Sequence, residues 1–312
     1  MCGRQKTKSI IMANQRMNKC YYLIIDLLQK SRSYPSKKKV LEYLEENDYS
    51  TSGRTLERYF KDIRNSYGIE ITYDTLERGY YIDEENSLNI DTIVKLLELV
   101  ETAEIIQESI KEGKEAIEYI SFGSRLKLKG LERLKPLLIA VRDKKIIHFN
   151  HTNYYADTKK EYSVEPYLLR EYLNRWYVIG TVLETQKVRT FGIDRVEDLR
   201  VDSKIFKYNT SLNIRENFED IIGMTVDDDG KLEEVVLSFT PYQGKYIKSQ
   251  PIHPSQEILK DDDESLDIKM LLKGNHELIQ TILMYGAEVK VIAPDWLKEE
   301  IISNYKEGLK RY

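Results

Sequence analysis

The chain has 312 residues, enough for two or three domains that each bury their own core. Its hydrophobic content of 41% and charged content of 32% indicate a folded, soluble chain and exclude a disordered one. No stretch approaches the roughly 18 apolar residues of a membrane span, and the N-terminus lacks the apolar core of a secretion signal. The two cysteines, Cys2 and Cys20, form no disulfide framework. These features predict a cytoplasmic protein.

The formal net charge of −4 is distributed unevenly. Residues 1–64 contain fourteen Lys or Arg and seven Asp or Glu, so they carry +7 and the remaining residues carry −11. A basic head on an acidic body is typical of a chain whose head binds phosphates. Residues 1–18 show no periodicity, and they are either a flexible basic arm or a result of the choice of translation start, since Met12 and Met17 both precede the first periodic segment. We base no function on this arm.

Helical periodicity recurs three times between residues 22 and 63. Ser36 and Ser52 are placed to cap the second and third helices. The third helix has an apolar stripe with spacings of four and three residues, formed by Leu56, Phe60 and Ile63. Gly68 follows its end, and two short alternating segments then predict a β-hairpin over residues 69–82. This order predicts a winged helix-turn-helix over residues 19–86, which presents the start of its third helix to the major groove.

The third helix also carries a sequence motif. Residues 52–58, Ser-Gly-Arg-Thr-Leu-Glu-Arg, resemble the recognition helix of DeoR-like regulators, and Tyr59 stands where that pattern usually has Asp. Polar side chains on the second helix, the third helix and the hairpin turn are the predicted DNA contacts: Lys37, Lys38, Ser52, Arg54, Thr55, Arg58, Lys61 and Arg78. The alternative is a solvated helix face whose charges bind nothing.

Residues 87–130 are predicted to be a helical linker. Their apolar face is too broad for a helix exposed on all sides. It has two candidate partners: the sensor domain of the same chain, or a second copy of the chain. Gly123 and Gly130 bracket a break, after which a further helix begins at Leu131.

The pattern becomes β from Lys145 onwards, and Pro166 is expected at the end of the second strand. The strongest strand reads Arg-Trp-Tyr-Val-Ile-Gly at residues 175–180, and Arg-Thr-Phe-Gly-Ile-Asp-Arg follows at residues 189–195. This stretch resembles the signature of the WYL domain, a small β-barrel that senses ligands in bacterial transcription regulators. The resemblance implies an SH3- or Sm-like barrel over residues 131–215.

The resemblance also implies a ligand pocket. Its candidate residues are His148, Trp176, Tyr177, Arg189, Phe191 and Arg195. Aromatic rings beside guanidinium groups suit a flat, anionic ligand. Strand alternation places Trp176 and Tyr177 on opposite faces, so at most one of them points into a given pocket. The alternative is an ordinary barrel core with surface arginines, in which Asp194 and Arg195 form only a surface ion pair.

Residues 230–312 show the order β-α-β-β-α-β-α, which predicts a small α+β sandwich. They resemble the extension that commonly follows a WYL barrel, and we expect a role in dimerisation or signal transmission. No catalytic motif is visible, and the Asp227–Asp229 run lacks the spacing of a calcium loop. We therefore expect no enzyme activity, no cofactor and no metal.

Together these patterns predict an α+β, multidomain, homodimeric regulator that binds operator DNA. The WYL resemblance implies a nucleotide or single-stranded nucleic acid as effector, and a role in phage defence or the DNA-damage response. Two alternatives remain. One is an accessory module that responds to nucleic acid and regulates a partner protein. The other is an enzyme that processes nucleotides, which the missing catalytic residues argue against.

Overall fold

The computed structural model describes residues 17–30, 34–112, 129–154, 157–226 and 230–312. The chain divides into two compact units, Met1–Arg125 and Leu126–Tyr312. The finer domain boundaries stay predictions. Most of the predicted arm lies outside the described residues, as do the break at Gly123 and the Asp227–Asp229 run. Residues 17 and 18, which were assigned to the arm, already belong to the first helix.

The described residues of the first unit form four helices and one hairpin: α1 (residues 17–30), α2 (Lys37–Glu46), α3 (Gly53–Tyr67), β1 (Ile71–Asp74), β2 (Gly79–Ile82) and α4 (Ile90–Glu112). Both predicted caps are confirmed. The Lys39 amide donates to Ser36 Oγ at 3.3 Å, and the Thr55 amide donates to Ser52 Oγ at 3.2 Å. Gly68 ends α3 with a φ of 66°, a backbone conformation that favours glycine.

One core joins α1, α2, α3 and the hairpin. The predicted stripe of α3 is buried in it, at Leu56, Phe60 and Ile63. Tyr59 is buried as well, and its ring packs edge-on against Tyr21 of α1 with centroids 5.5 Å apart. The residue that departs from the DeoR-like pattern therefore packs α3 against α1.

The hairpin pairs antiparallel from Ile71 opposite Ile82 to Asp74 opposite Gly79. Glycine is required at position 79, because a Cβ there would lie 2.1 Å from the carbonyl oxygen of Tyr34. The hairpin is therefore held close to the segment that precedes α2.

Helix α4 has two apolar faces. One face packs on the core of the first unit through Ile90, Ile93, Val94 and Leu97. On another face Leu96 and Leu99 are 51% and 59% exposed. No described helix, α4 included, is long and apolar enough to cross a membrane.

In the second unit, the first described helix is α5 (Leu131–Arg142), and five strands follow it in the described residues: β3 (Lys145–Asn153), β4 (Thr158–Tyr172), β5 (Arg175–Val182), β6 (Val188–Gly192) and β7 (Val196–Ile205). They pair antiparallel in the order β6-β5-β4-β3-β7. The predicted barrel is corrected here, because no pairing joins β6 to β7 among the described residues and the sheet is open. Strand β6 has only five residues, and a 3-10 helix at Ile193–Arg195 follows it before β7 begins.

The prediction that Pro166 ends a strand is wrong. Strand β4 continues through Pro166 to Tyr172, and its register with β5 shifts between Pro166 and Leu168. A bulge at this point tolerates a residue that has no N–H to donate.

Both faces of this sheet are covered. On one face, Leu137 and Ala140 of α5 pack against the strands. On the other face, the segment 206–226 packs through side chains that include Phe206, Phe218 and Met224. This segment contains α6 (Ile214–Asn217).

The C-terminal module has the predicted order: β8 (Leu232–Phe239), α7 (Pro241–Ser249), β9 (Glu257–Asp261), β10 (Leu266–Lys273), α8 (His276–Met284), β11 (Val289–Ala293) and α9 (Asp295–Leu309). Its strands form an antiparallel sheet in the order β11-β8-β10-β9. The first six elements form a ferredoxin-like β-α-β-β-α-β arrangement. The three helices share one core with the sheet, which confirms the predicted α+β module.

Candidate DNA-binding and ligand-binding sites

α3 carries four exposed cations, of which Arg64 near its end pairs with Glu70 at 2.5 Å. Arg54, Arg58 and Lys61 are exposed, and none of them forms an ion pair within the described part of the chain. Ser52 is exposed at the start of the helix, where its hydroxyl lies 3.0 Å from the hydroxyl of Thr55. The part of α3 up to Lys61 therefore presents guanidinium and ammonium groups to solvent without a carboxylate partner in the described structure, and the guanidinium of Arg58 lies 5.8 Å from the ring centroid of Tyr59.

The other predicted DNA contacts differ from these. Lys37 Nζ lies 2.8 Å from Glu57 Oε1, and Lys38 Nζ lies 3.3 Å from Glu42 Oε1. Both lysines are thus already paired with a carboxylate. Arg78 is exposed at the hairpin turn with a φ of 54°. The sequence pattern gave no sign of which cations would be paired.

The predicted ligand-binding residues fall on two faces of the five-stranded sheet. Trp176 packs with the cluster that contains α5, whereas Tyr177 packs with the segment 206–226 on the other face. The predicted opposition of these two side chains is confirmed. Phe191 is only 3% exposed, and its ring centroid lies 5.1 Å from that of Phe149. Its position favours a packing role.

His148 and His151 also lie on opposite faces of their strand, β3. His148 Nδ1 lies 3.0 Å from Ser163 Oγ, and its Nε2 lies 3.4 Å from Asp202 Oδ2. His151 is only 8% exposed, and its ring lies 5.2 Å from that of Phe191. His151 was not among the predicted ligand contacts. The alternation of buried residues along β3 could have identified it.

A group of charged and aromatic side chains surrounds the 3-10 helix that follows β6. We call it the Arg195 cluster, and it consists of His151, Tyr154, Arg175, Asp194 and Arg195. Asp194 lies 3.9 Å from Arg175 Nη1 and 3.8 Å from Arg195 Nε, both distances being to its nearer carboxylate oxygen. The guanidinium of Arg195 lies 5.1 Å from the ring centroid of Tyr154. With two cations against one carboxylate, the cluster has a net positive charge when His151 is neutral.

Two polar atoms in the Arg195 cluster are buried without a hydrogen-bond partner in the described structure, Nε2 of His151 and Nε of Arg195. Burial, followed by the charge of Arg195, lowers the pKa of His151 to about 4. The imidazole is therefore neutral near pH 7. Buried polar groups normally find partners, so these two nitrogens distinguish the Arg195 cluster from an ordinary apolar core.

Tyr177 has the same charges nearby, although its side chain packs on the other face. Burial raises its pKa, and Arg175, Asp194 and Arg195 are among the charges that act on it. Tyr177 thus lies at the same end of the sheet as the Arg195 cluster.

Arg189 lies elsewhere. It pairs with Gly180, three residues along β5 from the pairing of Tyr177 with Gly192, a separation of about 10 Å. Arg189 is exposed and lines a cavity of about 340 Å³. The other residues that line it are mostly apolar: Val188, Thr190, Leu212, Ile214, Asn217, Phe218, Met224, Thr225 and Val226. The structure does not bring Arg189 into the Arg195 cluster.

Another cavity, of about 420 Å³, lies in the C-terminal module beside the start of α8. Its lining includes Lys231, His276 and Trp296, and the indole of Trp296 donates to Glu233 at 2.7 Å. Within the described ranges, no group of three or more His, Cys, Asp or Glu side chains could hold a metal ion.

Comparison with protein families identifies both parts of the second unit. Residues 132–201 match the WYL domain, and residues 231–309 match the WCX domain. The second unit therefore contains a WYL domain followed by a WCX domain, which agrees with the resemblance seen at residues 175–195.

Two solved structures are similar to the chain at 14% sequence identity. One is proteasome accessory factor B/C (PafBC) of Arthrobacter aurescens, with a TM-score of 0.31, where the similarity covers 92% of this chain and 46% of PafBC. The chain thus spans about half the length of PafBC. The other is described as a CRISPR Cas-related protein, with a TM-score of 0.39 and coverage of 95% of this chain and 84% of that one. No curated protein matches the sequence.

Proposed function

We propose that the chain is a cytoplasmic transcriptional regulator that binds operator DNA and responds to a ligand. The first unit acts as a winged helix-turn-helix, with α3 as the recognition helix and the hairpin as the wing. The observation that carries this proposal is the trio Arg54, Arg58 and Lys61, exposed and without ion pairs in the described structure. Free cations on the outer face of a capped helix suit both phosphates and guanine edges.

The WYL domain is proposed to bind the effector at the Arg195 cluster. Its net positive charge favours an anion, and the aromatic ring of Tyr154 beside Arg195 suits a flat base. An anionic oxygen would also supply a partner for the buried Nε atom of Arg195. A nucleotide or a short single-stranded nucleic acid combines these properties.

The regulator is proposed to act as a homodimer without catalysing a reaction. The exposed Leu96 and Leu99 of α4 form an apolar surface that a second copy would cover. Dimerisation would place two recognition helices on two half-sites of an operator. The effector must bind one arrangement of the dimer more tightly than the other, because equal affinity shifts no equilibrium.

An electrophoretic mobility shift with duplex DNA from the upstream region of the gene tests both halves of the proposal. We expect a sequence-selective shift that weakens with salt and changes when short single-stranded oligonucleotides are added. The absence of any shift at low salt and micromolar protein would contradict operator binding. That result would favour the accessory module that acts on a partner protein.

A further inference from the structure

Glu57 is an exposed acidic side chain of α3, on the side of the helix that contacts α2 and the hairpin. Its Oε1 atom lies 2.8 Å from Nζ of Lys37, and it accepts a hydrogen bond from the hydroxyl of Tyr80 at 3.2 Å. Lys37 belongs to α2 and Tyr80 to β2. The carboxylate therefore connects the second helix, the third helix and the hairpin.

Both contacts use the same oxygen of Glu57. Its other oxygen, Oε2, has no partner in the described part of the chain, and the side chain is 50% exposed. One oxygen is fixed by two donors while the other is free to accept. Such a carboxylate is oriented before it meets a ligand, so less conformational freedom is lost when it accepts a hydrogen bond.

Glu57 does not neutralise the cations of its own helix. Arg54 and Lys61 stand three residues before it and four residues after it, the spacings at which helical ion pairs form. Neither pair is present within the described residues, where Glu57 instead pairs with Lys37. Gly53 makes room for this contact, since a Cβ there would lie 3.0 Å from Cε of Lys37. Arg54, Lys61 and the free Oε2 atom of Glu57 can therefore each contact DNA without first breaking an ion pair with one another.

We infer that Glu57 is a specificity-determining residue, whose free Oε2 accepts a hydrogen bond from the N4 amino group of a cytosine in the major groove. The inference rests on the proposed DNA-binding function. A carboxylate only accepts and is repelled by phosphates, so its favourable partners on DNA are donors on the base edges. Two bases offer an amino donor there, cytosine and adenine. Adenine also presents its N7 acceptor beside that amino group, which repels a carboxylate, so cytosine is the better partner.

The experiment starts with an operator selected by the full-length protein from a pool of randomised duplexes. Each C·G pair of the selected site is then replaced in turn, and the affinity of every duplex is measured for the wild type and for Glu57→Gln. The matched control is Glu42→Gln, which removes the same charge from another Glu–Lys pair of the first unit. Thermal unfolding of each variant checks the fold.

For the wild type, one C·G pair is expected whose replacement weakens binding by about 5- to 150-fold, the range for a good base contact. This preference should be lost in Glu57→Gln and retained in Glu42→Gln. Tyr80→Phe, which removes only the hydroxyl that orients the carboxylate, should reduce the preference for that C·G pair but to a smaller extent than Glu57→Gln. It also tests the inference if Glu57→Gln does not fold.

A uniform change of affinity across all duplexes in Glu57→Gln would overturn the inference, because it would assign Glu57 a purely structural or repulsive role. A C·G preference that is unchanged in both Glu57→Gln and Tyr80→Phe would overturn it as well. If the wild type selects no duplex at all, the proposed function itself fails, which is a distinguishable result.

Discussion

The guanidinium of Arg195 lies close enough to the imidazole of His151 for its charge to help burial lower the pKa of His151. Each has a buried nitrogen without a hydrogen-bond partner in the described structure. They belong to different strands and turns, His151 to β3 and Arg195 to the 3-10 helix before β7. A cation beside a buried, neutral histidine favours an anionic ligand, since such a ligand would offset both the unpaired donor and the positive charge.

The first prediction concerns pH. Burial and Arg195 lower the pKa of folded His151 to about 4, below the ordinary value of 6.5. The unfolded state therefore binds more protons between these two values. The contribution of neutral His151 to the free energy of unfolding should be fully present above about pH 6.5. It should fall by up to about 3 kcal/mol as the pH drops towards 4. Urea unfolding at several pH values measures this slope. His151→Gln should flatten it, whereas His148→Gln, on the other face of β3, should leave it in place.

Arg195→Ala should weaken the binding of a short oligothymidylate to the protein. Loss of a charge-assisted hydrogen bond costs about 1.5–3 kcal/mol, which is roughly 10- to 150-fold in affinity. Fluorescence anisotropy of a labelled oligonucleotide measures the change. Arg200→Ala is a suitable control, because Arg200 is an exposed arginine of β7 that pairs with Glu161 at 2.6 Å. Equal losses in both variants would indicate only non-specific charge attraction.

Arg189→Ala should abolish the response to the effector while operator affinity stays unchanged. Arg189 pairs with β5 about 10 Å from the pairing of Tyr177 with Gly192, the residue that precedes the 3-10 helix of the Arg195 cluster. Arg189 would therefore contact a different part of the effector. Mobility shifts with and without the oligonucleotide distinguish the two readouts. A normal response in this variant would remove Arg189 from the proposed site.

Arg54→Ala and Arg58→Ala should each weaken operator binding and leave the fold intact, because both side chains are exposed. If the arginine contacts phosphate, its removal should lower the salt dependence of binding by about one released counterion. If the arginine instead contacts a base, its removal should relax specificity at one base pair and cost about 1–3 kcal/mol of binding free energy. Anisotropy titrations at several salt concentrations separate the two roles. Unchanged affinity in both variants would contradict the assignment of α3 as the recognition helix.

The elements that local patterns control could be predicted from the sequence. The stripe of Leu56, Phe60 and Ile63 and the order of the C-terminal module follow directly from periodicity and capping. Contacts between elements could not. The pairing of Lys37 with Glu57 depends on how α2 packs against α3, and the passage of β4 through Pro166 depends on a register shift against β5. Local sequence determines neither relationship.

For a related reason, the sequence did not show which of His148 and His151 is buried in the core. Strand alternation predicted only that the two histidines need not share a face. Which face carries the core is decided by α5 and by the neighbouring strands, which bury Ile147, Phe149 and His151 together. The position of Arg195 beside His151 depends in turn on the pairing of His151 with Val196, a contact across 45 residues of sequence.

Substitutions of Phe191 distinguish a packing role from ligand contact at this predicted ligand-binding residue. Phe191 is 3% exposed and packs against the rings of Phe149, Tyr162 and His151. Truncation of a buried phenylalanine typically costs about 3–5 kcal/mol, because it leaves a cavity that its neighbours fill only partly. Chemical denaturation should show a loss of this size. Phe191→Leu should recover much of the stability, and oligonucleotide affinity should then be close to that of the wild type. If Phe191→Leu is stable yet no longer binds the oligonucleotide, the ring itself contacts the effector, and the packing interpretation is wrong.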